Sequence, residues 1–266
     1  MNLVNLEGKK VKEINLPSQF NEEYHPNLIW RAFLTIQGNK RQPYGTNPDA
    51  GMNYSAKLSR RRRDYKGSYG HGISRVPRKV LWRRGTQFGW VGAEAPGTVG
   101  GRRAHPPKST KIWDKKINLK ERKKAIRSAL AATLDKNLVI LRNHQLPSIY
   151  PLAVENKFED LSKTKDVIRT LESLGFKKEL ERLEIKKVRS GRGKNRGRRY
   201  KTKTGPLIIV SNKCKLVNAG KNIPGINVIP VNLVNVELLA PGSHAGRLTI
   251  YTEGALERLE KENLFK

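Results

Sequence analysis

The sequence predicts an α/β fold with a mostly parallel sheet flanked by helices, and a very long basic loop extending from the globular body. Two observations predict the layered body: short apolar runs without polar alternation, and segments of helical periodicity between them. A third predicts the loop, because residues 40–111 hold 17 Lys or Arg against three acids, with 11 glycines and 6 prolines. The body is therefore expected to comprise residues 1–39 and 112–266, with the loop inserted between them.

The N-terminal 39 residues predict a strand pair and a core helix. Residues 1–16 alternate apolar and polar side chains around a turn at Gly8, which is typical of two short strands. Pro26 suits a first helical turn, apolar residues follow at helical spacing up to Ile36, and Gly38 is the predicted stop. This helix leads directly into the basic loop.

The middle of the body is predicted to be helical around one short strand. Asn118 and Glu121 have the spacing of a capping box, which places a helix start there. Small residues line one face of that helix and permit close packing. A short apolar run at 138–141, a strand at 152–154 and helices at 167–174 and 180–185 follow.

The last third predicts the buried part of the sheet. Residues 206–210 form a continuous apolar run, typical of a strand covered on both faces, and residues 228–231 and 248–251 resemble it. A helix is expected over residues 254–264. Residues 186–205 precede these strands and form a second basic loop, in which eight cations and no acid lie between Arg189 and Lys203.

Overall charge indicates the class of partner. The chain has 54 Lys and Arg against 23 Asp and Glu, a formal net charge of +31 and a sequence pI near 10.5. Such a chain repels itself and collects anions, so a nucleic acid is the expected partner. A membrane is disfavoured, because no run of 18 apolar residues exists and the basic segments lack an apolar helical face. The N-terminal residues have no targeting character, which predicts a cytoplasmic protein.

The basic loop combines arginines with aromatic residues. Four consecutive arginines at 60–63 lie beside Tyr54 and Tyr65, and Trp82 and Trp90 follow further along. Arginine offers forked donors to phosphate, and both guanidinium and aromatic planes stack on exposed bases. The alternative is a solvated tail, but a tail has no need of spaced aromatic residues or of a return to the body. The pattern therefore favours RNA binding.

Patterns that would indicate an enzyme or a metal site are weak. Gly191–Gly197 has one residue too many for a dinucleotide fingerprint and precedes a buried strand, and the P-loop pattern is missing. The single Cys214 is interpreted as a small buried apolar residue. Carboxylate pairs at 22–23 and 159–160 are interpreted as solvated charges. The histidines are scattered singly, which favours RNA contact or exposure over catalysis; they are His25, His71, His105, His144 and His244. No cofactor and no metal are expected.

Five segments resemble one known family. Arg41–Tyr44, Gly101–Pro107, Arg127–Thr133, Asn222–Ile226 and Leu239–Arg247 closely resemble, in the same order, the protein-four family of the large ribosomal subunit, in its archaeal and eukaryotic branch. The resemblance covers nearly the whole chain. It implies a body on the outside of the large subunit and an extended loop that runs through ribosomal RNA to the wall and constriction of the peptide exit tunnel.

The resemblance also implies partners and residue roles. The family consists of early-binding assembly proteins without catalytic activity, whose partners are large-subunit ribosomal RNA, neighbouring ribosomal proteins and the nascent peptide. Candidate RNA-binding residues are Arg41, Lys57, Arg60, Arg61, Arg62, Arg63, Lys66, Arg75, Arg78, Lys79, Arg102, Arg103, His105, Lys108, Arg189, Arg192, Lys194, Arg196, Arg198, Arg199 and Lys201. Candidates for the tunnel end of the loop are Tyr69, His71, Ile73, Arg75, Arg83, Arg84 and Trp90.

Two other classes of protein remain open from the sequence. The first is an architectural or regulatory RNA-binding protein outside the ribosome that uses the same basic loops. The second is an enzyme with a nucleotide-binding α/β sheet. Stoichiometric presence in ribosomes distinguishes the ribosomal protein from the first, and nucleotide turnover would indicate the second.

Overall fold

The computed structural model describes residues 1–56, 58–64 and 67–266. The chain divides into two compact units. We call residues 1–40 together with 114–266 the α/β unit, and residues 41–113 the basic unit.

Strands and helices alternate along the α/β unit, as the sequence predicts. The strands in the described residues are β1 (Asn2–Val4), β2 (Lys10–Glu13), β3 (Arg78–Arg84), β4 (Gln87–Gly92), β5 (Leu152–Val154), β6 (Lys187–Val188), β7 (Tyr200–Lys201), β8 (Leu207–Val210), β9 (Asn227–Pro230) and β10 (Thr249–Thr252). The α-helices there are α1 (Pro26–Asn39), α2 (Leu119–Leu134), α3 (Lys136–Leu141), α4 (Thr164–Ser173), α5 (Lys177–Glu184), α6 (Lys215–Gly220), α7 (Val236–Leu239) and α8 (Glu253–Lys261).

A six-stranded sheet forms the centre of the α/β unit, in the order β2-β1-β5-β10-β8-β9. Only the edge pair of β1 and β2 is antiparallel among these strands, and the other four neighbouring pairs are parallel. The prediction of an α/β fold with a mostly parallel sheet is therefore confirmed.

Helices cover the sheet on both faces. Leu207 and Ile209 of β8 belong to a buried cluster with residues of α1, α2, α7 and α8. Ile208 and Val210, which point to the opposite face, belong to a second cluster with residues of α4, α5 and α6. This three-layer arrangement explains why β8 has no polar alternation, since both of its faces are removed from water. Cys214 is only partly buried, against the second cluster.

Two predicted helix boundaries differ in detail. Helix α1 does not stop at Gly38 but continues to Asn39, and the Lys40 amide still donates to the carbonyl of Ile36. Asn118 does precede α2 as its N-cap, but its side chain accepts no capping hydrogen bond. The carboxylate of Glu121 faces Arg31 instead, at 3.4 Å. The capping box is therefore not formed, because a partner distant in sequence takes the glutamate.

The basic unit contains a β-hairpin that the sequence interpretation missed. Strands β3 and β4 pair antiparallel around a turn at Gly85, so the expectation that residues 40–111 lack regular structure is wrong for residues 78–92. The register shifts between Val80 and Trp82, which breaks the period of two that strands normally show. Gly89 opposes Trp82, and a Cβ there would lie 2.1 Å from the indole nitrogen. Glycine therefore makes room for the ring in this pair.

Two carboxylates expected to be solvated have internal partners. Glu159 accepts hydrogen bonds from the Ser211 amide at 2.8 Å, the Ser211 hydroxyl at 2.5 Å and the Thr252 hydroxyl at 2.6 Å. It thereby joins the carboxyl ends of β8 and β10. Glu22 accepts from Arg127 Nε at 2.8 Å. The interpretation of both as solvated charges is wrong, because their partners come from distant segments.

His144 is also placed differently from the prediction, which favoured RNA contact or exposure. Its ring is buried, and Nδ1 lies 2.7 Å from Glu179 Oε1. Arg182 donates to both oxygens of Glu179, at 2.6 and 2.8 Å, and the Gln145 amide donates at 3.0 Å. Burial alone would raise the pKa of Glu179, but hydrogen bonds from Arg182, His144 and the Gln145 amide hold it below its ordinary value.

Candidate nucleic-acid interface

The described cations of the basic unit lack acidic partners. Within its described residues, no Lys or Arg lies in ion-pair distance of a carboxylate. Arg78 and Lys79 are half-buried, whereas most of the other candidates are exposed to solvent. Their mutual repulsion is therefore not balanced within the unit, and a polyanion would relieve it.

Several of these cations lie over aromatic rings instead. The Arg41 guanidinium is 3.6 Å from the ring centre of Trp113, and Lys79 Nζ is 3.7 Å from that of Tyr54. Arg75 lies over Tyr69 at 4.8 Å. A cation attracted to a ring face keeps its charge available on the other side. These pairs therefore combine an unneutralised charge with a flat surface.

The segments that enter and leave the basic unit lie against each other. The Thr46 amide donates to the carbonyl of Pro107 at 3.1 Å. A Cβ at Gly51 would lie 2.5 Å from the Arg102 amide nitrogen, so this close approach requires glycine. The predicted cations Arg102 and Arg103 are thus held beside the outgoing segment. The side chains of Arg102, Arg103, His105 and Lys108 are exposed, and those of Arg103, His105 and Lys108 line one pocket.

The remaining loop candidates lie in two kinds of environment. Exposed residues without regular structure or in turns include Arg60, Arg61, Arg62, Arg63, Tyr69, His71, Ile73 and Arg75. Arg83 and Arg84 end β3 beside the hairpin turn and are exposed. Trp90 does not lie with them: it opposes Val80 within the hairpin, and its buried indole nitrogen has no hydrogen-bond partner in the described residues. Lys57, Tyr65 and Lys66 lie outside the described residues.

The second basic loop is a short hairpin of its own. Strands β6 and β7 pair antiparallel, and the Arg189 amide donates to the carbonyl of Arg199 at 2.8 Å. Gly191 and Gly197 have φ values of 80° and 75°, which favour glycine. Arg189 is half-buried, and the other candidates are exposed: Arg192, Lys194, Arg196, Arg198, Arg199 and Lys201.

Two arginines, one half-buried and one buried, hold the end of this second loop. Arg182 donates to the carbonyl of Thr204 at 2.7 Å. Arg247 donates to the carbonyls of Gly205 at 2.8 Å and Leu238 at 3.0 Å, and to Asn227 Oδ1 at 2.6 Å. Burial lowers the pKa of Arg247 to about 10, which leaves it charged at neutral pH. Sequence reasoning did not single out either arginine, because nothing local in the sequence distinguishes an arginine with internal partners from an exposed one.

Aromatic contacts at the base of the basic unit were missed as well. Tyr44 and Trp113 are stacked with ring centres 5.8 Å apart and planes inclined by 17°. Lys111 Nζ lies 4.4 Å from the Trp113 ring centre. The only sequence signal was that an arginine and a tyrosine lie three residues apart around Pro43. Their packing against Trp113, about 70 residues later, depends on the return of the chain.

The described residues also bear on two other kinds of site, a metal centre and a membrane-spanning helix. No cluster of three or more His, Cys, Asp or Glu there could hold a metal ion. No helix within that part of the chain is long and apolar enough to cross a membrane.

Comparison with known proteins assigns the family. The model of the Ribosomal protein L4/L1 family matches residues 14–262. The chain belongs to this family. Its members are structural ribosomal proteins, so the chain is not an enzyme. This agrees with the prediction from the glycine and histidine patterns.

Archaeal members of the L4/L1 family align with nearly the whole chain. The large ribosomal subunit protein uL4 of Nanoarchaeum equitans is 49% identical over 264 residues, which are 99% of this chain and 98% of that protein. The uL4 proteins of Archaeoglobus fulgidus and Methanocaldococcus jannaschii are 44% and 45% identical, each over 97% of this chain and 96% of its own length. The predicted resemblance to the archaeal branch is therefore confirmed.

Proposed function

We propose that this chain is a structural component of the large ribosomal subunit in the cytoplasm and binds large-subunit ribosomal RNA early in assembly. One observation supports RNA binding most directly: the cations of the basic unit are largely exposed and lie within ion-pair distance of no carboxylate among its described residues. Phosphate groups would supply the missing negative charge. The second basic loop, residues 186–205, adds a separate surface of the same character.

The basic segment has a further proposed role at the peptide exit tunnel. Residues 40–111 run through ribosomal RNA as an extended insertion in the body formed by residues 1–39 and 112–266. Residues 69–75 and the hairpin end at Arg83 and Arg84 are the parts nearest the tunnel wall and the nascent peptide. Their exposure and the glycines around them, such as Gly70 and Gly72 with open space at the Cβ position, support this role. Neighbouring large-subunit ribosomal proteins are the other proposed partners.

Sedimentation of a native lysate tests the proposal. The chain is quantified relative to the large subunit in gradients at moderate and high salt, with and without ribonuclease. We expect one copy per large subunit, retained in high salt and released when the RNA is digested. A substoichiometric chain that washes off in high salt would contradict the proposal and favour a surface-bound regulator of RNA.

A further inference from the structure

The base of the basic unit contains a pocket of about 580 Å³. Its wall includes two aromatic rings, Tyr44 and Trp113, and four basic side chains: Arg103, His105, Lys108 and Lys111. No carboxylate belongs to the described residues that line it. The pocket therefore combines flat apolar surface with uncompensated positive charge.

Backbone contacts hold the walls of this pocket in place. The amide of Thr46 donates to the carbonyl of Pro107 at 3.1 Å, and the amide of Lys111 donates to the carbonyl of Lys108 at 3.2 Å. A Cβ at Gly45 would lie 2.4 Å from the Ser109 amide nitrogen, so the two segments approach as closely as glycine permits. Tyr44 comes from the segment that enters the basic unit, whereas Trp113 and the four basic side chains come from the returning segment. The two segments are joined at this crossing.

The aromatic side of the pocket offers a surface for stacking. The Tyr44 and Trp113 rings are nearly parallel, and the Arg41 guanidinium lies over the Trp113 ring. Tyr44 itself is 50% exposed. The same guanidinium lies 5.3 Å from the Tyr44 ring centre. Because half of Tyr44 remains exposed, a further planar group can extend the stack there, with its anionic groups near Lys108 and Lys111.

We propose that this pocket binds one unpaired nucleotide of RNA, with its base stacked on Tyr44 and its flanking phosphates near Arg103, Lys108 and Lys111. The inference rests on the proposed RNA-binding function and adds a defined site to it. Stacking on an aromatic ring tolerates any base, so the site selects an unstacked nucleotide rather than a sequence. A paired base inside a helix cannot present its face in this way.

Ultraviolet cross-linking of the full chain to a large-subunit ribosomal RNA transcript tests this inference. Cross-linked peptides are identified by mass spectrometry, because a base stacked on an aromatic ring reacts with it directly. We expect a nucleotide adduct on Tyr44 or Trp113. Tyr44→Leu should lower this adduct by about tenfold or more, in keeping with the loss caused by removing one stacked base. Tyr44→Phe should retain it.

Matched variants make the result specific. Tyr24 is exposed to a similar degree in the α/β unit, so Tyr24→Leu should leave the pocket adduct unchanged. Wild-type protein that binds the transcript but forms no adduct at Tyr44 or Trp113 would overturn the pocket and leave the proposed function standing. An adduct that Tyr44→Leu retained at the wild-type level would also overturn it, because stacking on Tyr44 would then not form the site. Failure of the chain to bind the transcript would overturn both proposals.

Discussion

Arg247 carries a positive charge in the core without an ion pair to any carboxylate of the described residues. The residue is 2% exposed, and its guanidinium donates to the carbonyls of Gly205, Leu238 and Gly225 and to the side chain of Asn227. Lysine carries a single ammonium group and cannot donate in all the directions of the planar guanidinium. We expect Arg247→Lys to lower the free energy of unfolding by about 2 to 4 kcal/mol, because buried acceptors are left unpaired. Urea denaturation of the full chain measures this.

An exposed arginine provides the control for Arg247. Arg122 of α2 is exposed, and Arg122→Lys should change the free energy of unfolding by less than about 0.5 kcal/mol. Equal losses for both variants would contradict the role assigned to Arg247. Because Arg247 also fixes Gly205, its replacement should loosen the end of the second basic loop, which amide hydrogen exchange of residues 200–205 would detect.

The stability of the α/β unit should depend on pH through the titration of His144. Burial lowers its pKa below the ordinary value of 6.5; hydrogen bonding to Glu179 opposes this, and the charges of Arg182 and Arg142 assist it. The unfolded chain therefore takes up a proton before the folded chain does. Stability should fall as pH decreases below about 6.5, until the pH passes the folded pKa. Asparagine at this position can still donate to Glu179 but does not titrate.

The His144→Asn variant isolates this effect. We expect urea midpoints of the wild-type chain to decrease as the pH falls below about 6.5, and those of His144→Asn to decrease less over the same pH range. The absolute stability of the variant is lower because its smaller side chain leaves space. His244→Asn, at an exposed histidine, should keep the wild-type pH profile. A wild-type slope in His144→Asn would show that other groups cause the acid sensitivity.

The elements that the sequence predicted correctly are those whose burial leaves a local pattern. Strands β5 and β8 are short apolar runs, and α4 has apolar residues at helical spacing that end before Gly175. The hairpin of β3 and β4 was not predictable in this way, because it is largely exposed and a bulge interrupts its alternation. Hydrophobic periodicity arises where one face of an element is buried. A strand with little buried surface therefore has no such periodicity in its sequence.

The candidate interface could be predicted in composition but not in geometry. Clusters of arginine along residues 40–111 were enough to predict exposed charge. The contact between Tyr44 and Trp113 depends on where the chain returns, and the partners of His144 and Glu159 come from segments 35 or more residues away. A single sequence has no local signal for such pairs. What the sequence missed therefore consists of contacts between distant segments.

The hairpin element is predicted to be dispensable for folding. Both apolar clusters of the sheet consist of residues outside 41–113. Deletion of residues 70–95 with a short Gly-Ser connection should therefore leave the α/β unit folded and able to join the large subunit. Circular dichroism and urea denaturation measure the fold, and gradient sedimentation measures incorporation.

Deletion of β5 residues 152–154 is the destabilising control for this experiment, since these residues are central to the sheet. If the 70–95 deletion unfolded as that control does, the division into two units would be wrong. Incorporation with an altered tunnel constriction is the outcome we expect from the proposed position of residues 69–84.

The chain has a net charge of +31, and the two units differ in how many of their cations form ion pairs. The α/β unit uses part of its positive charge internally, in pairs such as Arg127 with Glu22 and Arg182 with Glu179. In the basic unit, the described residues form no such pair. RNA affinity should therefore depend more on a cation of the basic unit than on an equally exposed cation of the α/β unit.

Salt dependence of binding tests this difference. If about ten cations neutralise phosphates, the logarithm of affinity for the ribosomal RNA transcript should fall with the logarithm of salt concentration with a slope of about 7 to 9. Replacing Arg60, Arg61, Arg62 and Arg63 by glutamine should reduce this slope by about 3, because each lost phosphate contact removes about 0.7 to 0.9. The matched control replaces four exposed lysines of the α/β unit by glutamine: Lys163, Lys165, Lys177 and Lys178. It removes the same net charge and should change the slope much less. Equal slopes for the two variants would show that RNA responds to total charge alone, and the basic unit would lose its assignment as the principal RNA-binding surface.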